Sequence, residues 1–345
     1  MLNGPNGAPD ATGPSSNNDD FTNKSALIPS NTAPGSNITP GSVAFTNTVK
    51  NTGTATATIS LVPAAPVTLT DLPTGTTVTL TYNSLSAAYT YDSGTGKFTI
   101  ASGGTPLQIS NVAPGATANY GVEVKLPTVP LSTDTGKGYP VPINAANTAD
   151  STNTNTTIDR VYTGFLRMVK QSRLLKGTGP DVSADQGDFT KTPGAAFDPI
   201  AKPSTPFDAS KGAAFDPNGG VARTPAPGNI LEYRVTYINI SDPLAGSGDI
   251  ILKADKLVIT EDGTDPKGNN WAVDNDNNAV IDTSNIPGTA KDSGAATVTF
   301  FTGSTSTGDK TGTTVATDVT KYVDTLTDQV APGQVRTFGF QRKVN

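Results

Sequence analysis

The sequence predicts an all-β protein: two tandem Ig-like Greek-key β-sandwich domains with long loops and an extended N-terminal tail. Three observations carry this. Val112-Ala113-Pro114-Gly115-Ala116-Thr117-Ala118-Asn119-Tyr120-Gly121-Val122 recurs as Val330-Ala331-Pro332-Gly333-Gln334-Val335-Arg336-Thr337-Phe338-Gly339-Phe340. Upstream of each copy a Pro-Gly turn feeds a strand with alternate apolar residues. Pro40-Gly41 leads into Val43, Phe45 and Val49 and then Asn51; Pro227-Gly228 leads into Leu231, Tyr233, Val235 and Tyr237 and then Asn239. Finally, 34% apolar and 16% charged residues, with 35 Gly and 27 Pro, fit sheet with polar connections. No stretch of helical periodicity stands against them.

Residues 1–30 read as a tail. Met1 to Asp20 is Gly, Pro, Asn, Ser and Asp with little to bury, the composition of a disordered segment. Phe21, Ala26, Leu27 and Ile28 follow and form a candidate assembly segment. Residues 31–155 form the first sandwich, with strands expected at 43–50, 55–61, 66–70, 76–83, 88–92, 97–101, 106–110, 117–126 and 140–146. Asn51-Thr52-Gly53 and Ser93-Gly94-Thr95-Gly96 supply hairpin-type turn chemistry. On the closing strand Tyr120, Val122, Val124 and Leu126 share one face, with Glu123 and Lys125 opposite.

Residues 156–345 form the second sandwich. Its lead strand, 158–170, is apolar on both faces and is expected to be covered on both. A loop at 176–226 carries Phe197, Phe207 and Phe215, each followed by Asp, as anchors either for another surface or for their own domain. The last strand is expected at 335–344.

The absences narrow the function. The chain has no His and no Cys, which removes His-based catalysis, Cys nucleophiles, ordinary zinc sites and disulfides. Its three Glu are Glu123, Glu232 and Glu261, and the first two fall on strands at solvent-facing positions. A carboxylate-dependent hydrolase stays open only through Asp. A net charge of −6 argues against nucleic-acid binding. No apolar run is long enough to span a membrane, and no leader is evident, so an exported form with its signal peptide removed is expected.

One constellation has chemistry in it. Asp274, Asp276, Asn278 and Asp282 place side-chain oxygens at relative positions 1, 3, 5 and 9, and Val280 offers a backbone carbonyl at 7. That is the spacing of an EF-hand-type calcium loop. Ala279 stands where Gly makes the sharp turn, and Asn285 stands at position 12 in place of Glu. Glu261, Asp262 and Asp265 could supply a missing ligand if the loops converge. The alternative is a polar turn. Trp271, the only Trp, reads as a local core plug.

The Pro-Gly openings, the strand Tyr233-Arg234-Val235-Thr236-Tyr237-Ile238-Asn239 and the closing Val330-Ala331-Pro332-Gly333 strand resemble the conserved-repeat domain of bacterial surface proteins (domain of unknown function 11). Phe45 to Gly53 and Val112 to Lys125 carry the same marks in the first unit. The resemblance implies an extracellular Ig-like sandwich found in tandem on bacterial envelopes, with no catalytic residues to carry over. The expectation is a non-enzymatic structural subunit of a filament, pilus-like fibre or surface layer, its copies joined head to tail by exchange of the tail. The alternative is an adhesin or carbohydrate-binding module acting on a surface glycan through its loops.

Overall fold

In the computed structural model the described residues are 1–29, 32, 36–131, 138–189, 223–264, 270–302, 310–311 and 317–345. They form β-strands and turns, with one 3-10 turn and no α-helix. The chain divides into two compact units. Unit 1 is Met1–Phe165 with Ile240–Leu252; unit 2 is Leu166–Asn239 with Lys253–Asn345.

The strands of unit 1 are β1 (Leu2–Pro5), β2 (Phe21–Ser25), β3 (Asn37–Ile38), β4 (Val43–Lys50), β5 (Ala57–Pro63), β6 (Thr77–Tyr82) and β7 (Leu85–Asp92). They continue with β8 (Lys97–Ile100), β9 (Leu107–Val112), β10 (Thr117–Lys125), β11 (Val129–Pro130), β12 (Tyr139–Asn147) and β13 (Asp150–Tyr162). One sheet runs β1-β4-β10-β6-β7-β8 and the other β2-β13-β12-β5-β9, while β11 and β3 pair separately. Alternation does what the sequence asks of it. Phe45 and Val49 on β4, and Tyr120, Val122 and Val124 on β10, turn inward onto Ile59, Leu61, Ile109 and Ile143. Each such side chain contributes about 1.5–3 kcal/mol by leaving water.

The strands of unit 2 are β14 (Leu166–Leu175), β15 (Ile230–Asn239), β16 (Val258–Asp262), β17 (Thr283–Asn285) and β18 (Lys291–Asp292). The remainder are β19 (Ala296–Thr302), β20 (Lys310–Thr311), β21 (Val319–Leu326) and β22 (Val335–Val344). One sheet runs β14-β15-β22-β17, with β18 also on β22; the other runs β16-β21-β19-β20.

The repeated motif builds the same joint twice. In unit 1 the Asn51 side-chain amide donates to Val112 O at 2.8 Å, and Asn51 O accepts the Gly115 N–H at 2.8 Å. In unit 2 Asn239 donates to Val330 O at 3.0 Å and accepts from Gly333 at 2.8 Å. Gly115 and Gly333 sit at φ +74° and +73°, left-handed conformations that a side chain would strain. Each joint therefore fixes where the closing strand leaves its turn beside the opening strand.

Four expectations need correction. The N-terminal segment is not an extended tail. β1 pairs antiparallel with β4 (Leu2↔Lys50 to Pro5↔Asn47), and β2 pairs parallel with β13 (Phe21↔Ile158 to Ser25↔Tyr162). Phe21 and Ala26 are buried within unit 1, Leu27 is 90% exposed and Ile28 half-buried. The segment also buries polar groups: Asn3 donates to Ile143 O (2.9 Å) and accepts from the Tyr120 hydroxyl (2.8 Å), and the Thr157 hydroxyl donates to Asp20 (2.5 Å). A composition that looks unable to fold alone is held by a sheet ladder and by polar partners supplied far along the chain.

The expected 158–170 strand is two strands, because Gly164 at φ +99° breaks it between β13 and β14. The expected strand at 66–70 is the 3-10 turn Leu69–Asp71, closed by the Asp71 N–H on Thr68 O. Asn51-Thr52-Gly53 is no hairpin: the Asn51 side chain caps the Gly53 N–H, and the chain crosses from the sheet of β4 to that of β5. Phe197, Phe207 and Phe215 lie outside the described residues.

Candidate functional site

The acidic loop closes at its base, where the Asp282 N–H donates to Val273 O (2.9 Å). Inside it the backbone wraps the carboxylates. Asn278 N and Ala279 N donate to Asp274 (3.1 and 2.7 Å), and Asn275 N and its side-chain amide donate to Asp282 (3.2 and 2.5 Å). Asn277 and Ala279 take φ +59° and +68°, so Ala279 makes the turn that a Gly would make with less strain. The outcome is that Asp274, Asp276 and Asp282 each bring a carboxylate oxygen within 4.8 Å of the other two. Burial works against the ionised Asp274, but the Ala279 and Asn278 N–H groups outweigh it and hold this carboxyl below its ordinary range.

Three carboxylates at this spacing suit a hard cation that takes six to eight oxygens, and the donor set fits calcium. Other expected ligands are differently placed. Asn278 turns its amide to Asp276 and its oxygen to the Val280 N–H, and the Val280 side chain is exposed. Asn285 at position 12 is buried on β17, where it accepts the Tyr322 hydroxyl at 2.8 Å. Glu261 does not converge on the loop. It is buried against Lys170, whose ammonium also lies 5.0 Å from the Tyr233 ring. Asp262 faces Lys321 at 3.9 Å, and Asp265 lies outside the described residues.

Beside the loop opens a cavity of about 650 Å³. Leu231, Tyr233 and Trp271 give it an apolar side; Asn270, Asn275, Asp276, Asn278 and Asp282 give it an oxygen- and amide-rich side. Trp271 is 4% exposed, stacks 5.3 Å from Tyr322 and lies tilted 5.3 Å from Phe340, while its indole N–H meets no acceptor among the described residues. The sequence-based reading of Trp271 as a plug misses that it is also a wall.

Arg342 was not singled out by the sequence at all. It is fully buried, lies 4.5 Å from the Trp271 ring, and donates to Thr283 Oγ1 and O, Val319 O and the Tyr322 hydroxyl at 2.7–3.1 Å. Its signal was there: along β22 Phe338, Phe340 and Arg342 share the inward face, which makes a charge at the third position unusual. Burial lowers the guanidinium from its ordinary value, yet four hydrogen bonds to oxygens keep it a rigid prop for the indole.

No family model matches the chain, and no curated protein does. Among solved structures it is similar to the Streptococcus agalactiae AgI/II polypeptide BspA C-terminal domain at 10% identity and a TM-score of 0.33, covering 96% of this chain and 88% of that one. It is also similar to the C-terminal domain of the Streptococcus pyogenes antigen I/II-family protein AspA at 10% identity and a TM-score of 0.30, covering 91% and 85%. Similarity of this size carries no functional inference. No helix among the described residues is long and apolar enough to cross a membrane.

Proposed function

We propose that this chain is a non-enzymatic, extracellular module of the bacterial cell surface that binds a glycan in the unit 2 cavity, with calcium held by Asp274, Asp276 and Asp282. The observation that carries this reading is the juxtaposition of an aromatic wall, Tyr233 and Trp271, with a loop of carboxylates and amides across one cavity. A sugar presents an apolar ring face and a rim of hydroxyls, and that pairing of surfaces accepts both. The all-β frame and the surface-repeat resemblance support an exported, structural setting.

The test uses the full chain and its single Trp. Calcium is titrated while Trp271 emission is recorded, and a glycan array is probed with and without chelator. The expected result is a saturable emission change, lost in Asp276→Asn and Asp282→Asn, and array binding that needs calcium. An unchanged spectrum together with a blank array would end this reading.

Assembly into a homopolymer is a second reading, motivated by sheet edges at β8 and β9 that no described strand covers. The N-terminal segment pairs within its own unit, so this reading rests on the open edges and not on exchange of that segment. Negative-stain microscopy of the full chain tests it. Monodisperse particles from the full chain would dismiss the polymer.

A further inference from the structure

Asp324 is a carboxyl that unit 2 buries without giving it a donor. It sits on β21 with Tyr322 and Leu326 on the same inward face and is fully buried. Its ladder neighbours are Ile259 on β16 and Val298 on β19, both apolar. Among the described residues no N–H and no hydroxyl donor reaches either of its oxygens.

What faces it is another carboxyl, Asp292, on β18 of the opposite sheet. Asp292 is well supplied: the Tyr237 hydroxyl donates to it at 2.9 Å and the Gly294 N–H at 2.6 Å. Arg336 on β22 acts on Asp292 and Tyr237 from longer range, but its guanidinium is engaged by Asp328 at 2.6 and 2.7 Å. The surroundings therefore stabilise one negative charge and not two. Two ionised carboxylates in contact inside a sandwich repel each other and lose their hydration. A proton on Asp324, donated to Asp292, resolves both problems and supplies the missing hydrogen bond.

We propose that Asp292 and Asp324 form a proton-dependent clasp between the two sheets of unit 2, closed while one proton bridges the carboxyls and loosened when that proton leaves. Burial first, and Asp292 second, push Asp324 from 3.8 up to about 7, so the change falls near neutrality. The sign follows from a folded-state pKa above the unfolded one. The folded state holds its proton more tightly, so the clasp's contribution is complete below about pH 4 and is lost as pH rises through 7. The effect reaches the cavity because Tyr322, two residues before Asp324 on the same face, stacks on Trp271.

The experiment uses the full chain at pH 5 and pH 8.5. Amide exchange is read along β21, corrected for the intrinsic pH dependence of exchange, and Trp271 emission is followed through urea unfolding. Both readouts lie in unit 2, and the two substitutions separate this pair from titrating groups elsewhere. In the wild type β21 is expected to lose about tenfold or more of its protection at pH 8.5, the ratio that one pKa unit of linkage represents. Asp324→Asn keeps an N–H donor toward Asp292 without titrating, and is expected to hold protection within about threefold across the same range. Asp292→Asn gives an ionised Asp324 an amide donor and is expected to flatten the dependence too, which keeps the test intact should either variant fail to fold. Equal protection of the wild type at both pH values, or an undiminished pH dependence in a folded variant, would overturn the clasp.

Discussion

The two units share one frame and fill it differently. In both, the closing strand lies beside the opening strand, β10 on β4 and β22 on β15, behind the same Asn–Gly joint. On the other flank of the opening strand unit 2 places β14, ten residues contiguous in its own half of the chain. Unit 1 places β1 there, four residues from the very start of the sequence. β14 brings side chains such as Val169 and Leu174 to a buried face. β1 brings Asn3, and secures it with hydrogen bonds to Ile143 and Tyr120. A position in a sheet is thus defined by the ladder of the neighbouring strand, and apolar alternation is only one way of filling it.

That contrast can be broken most directly by removing residues 1–25. Both sheets of unit 1 lose an edge strand, and Asn47, Tyr120, Asn155 and Asp159 lose their cover. The expected result is loss of the unit 1 unfolding transition in calorimetry, with the unit 2 transition still reported by Trp271. Retention of both transitions would mean that the segment is dispensable.

The polar filling of unit 1 has a pH signature of its own. Burial, and to a smaller extent Asp249, raise Asp20 from 3.8 to about 8; burial raises Asp159 to about 7 against the opposing Asn47 amide. Both pKa values lie above those of the unfolded chain, so stability is greatest below about pH 4 and falls as pH climbs through 7 to 8. Melting by circular dichroism is expected to give a lower temperature at pH 8.5 than at pH 5. Asp20→Asn and Asp159→Asn together should narrow that gap. A gap unchanged by both substitutions would place the titrating groups elsewhere.

The shared joint offers the smallest and sharpest comparison. Asn51→Ala and Asn239→Ala each strand a carbonyl and remove an amide, and are expected to cost about 1–3 kcal/mol in urea unfolding. Similar losses, each in its own transition, would confirm that the repeated motif does equivalent mechanical work in the two units. A loss in one unit alone would make the likeness one of sequence only.

Where the sequence was legible, a side-chain pattern and a backbone constraint agreed. Val43–Lys50 and Val335–Val344 were readable to the residue because alternation is flanked by Pro-Gly turns. The acidic loop was readable as a spacing, and the three carboxylates do meet. Asn285 departs because its strand register turns it into the core, a property of β17 pairing with β22 that the loop's own residues do not encode. The N-terminal strands were illegible for the same reason: Leu-Asn-Gly-Pro carries no alternation, and its partner lies more than forty residues away. Gly164 ends a strand through its backbone angle alone, against continuing apolar character on both sides.

The passage of Ile240–Leu252 through unit 1 has a consequence in time. Asp249 receives the Phe21 N–H at 2.7 Å, Ile250 exchanges backbone hydrogen bonds with Phe21 and Asn23, and Asp242 holds Arg160 at 2.9 Å. Unit 1 therefore cannot be completed during synthesis until residue 252 has appeared, after strands β14 and β15 of unit 2 have already been made. Phe21 and Asn23 wait for a partner more than two hundred residues downstream, so the edge of this sheet closes late.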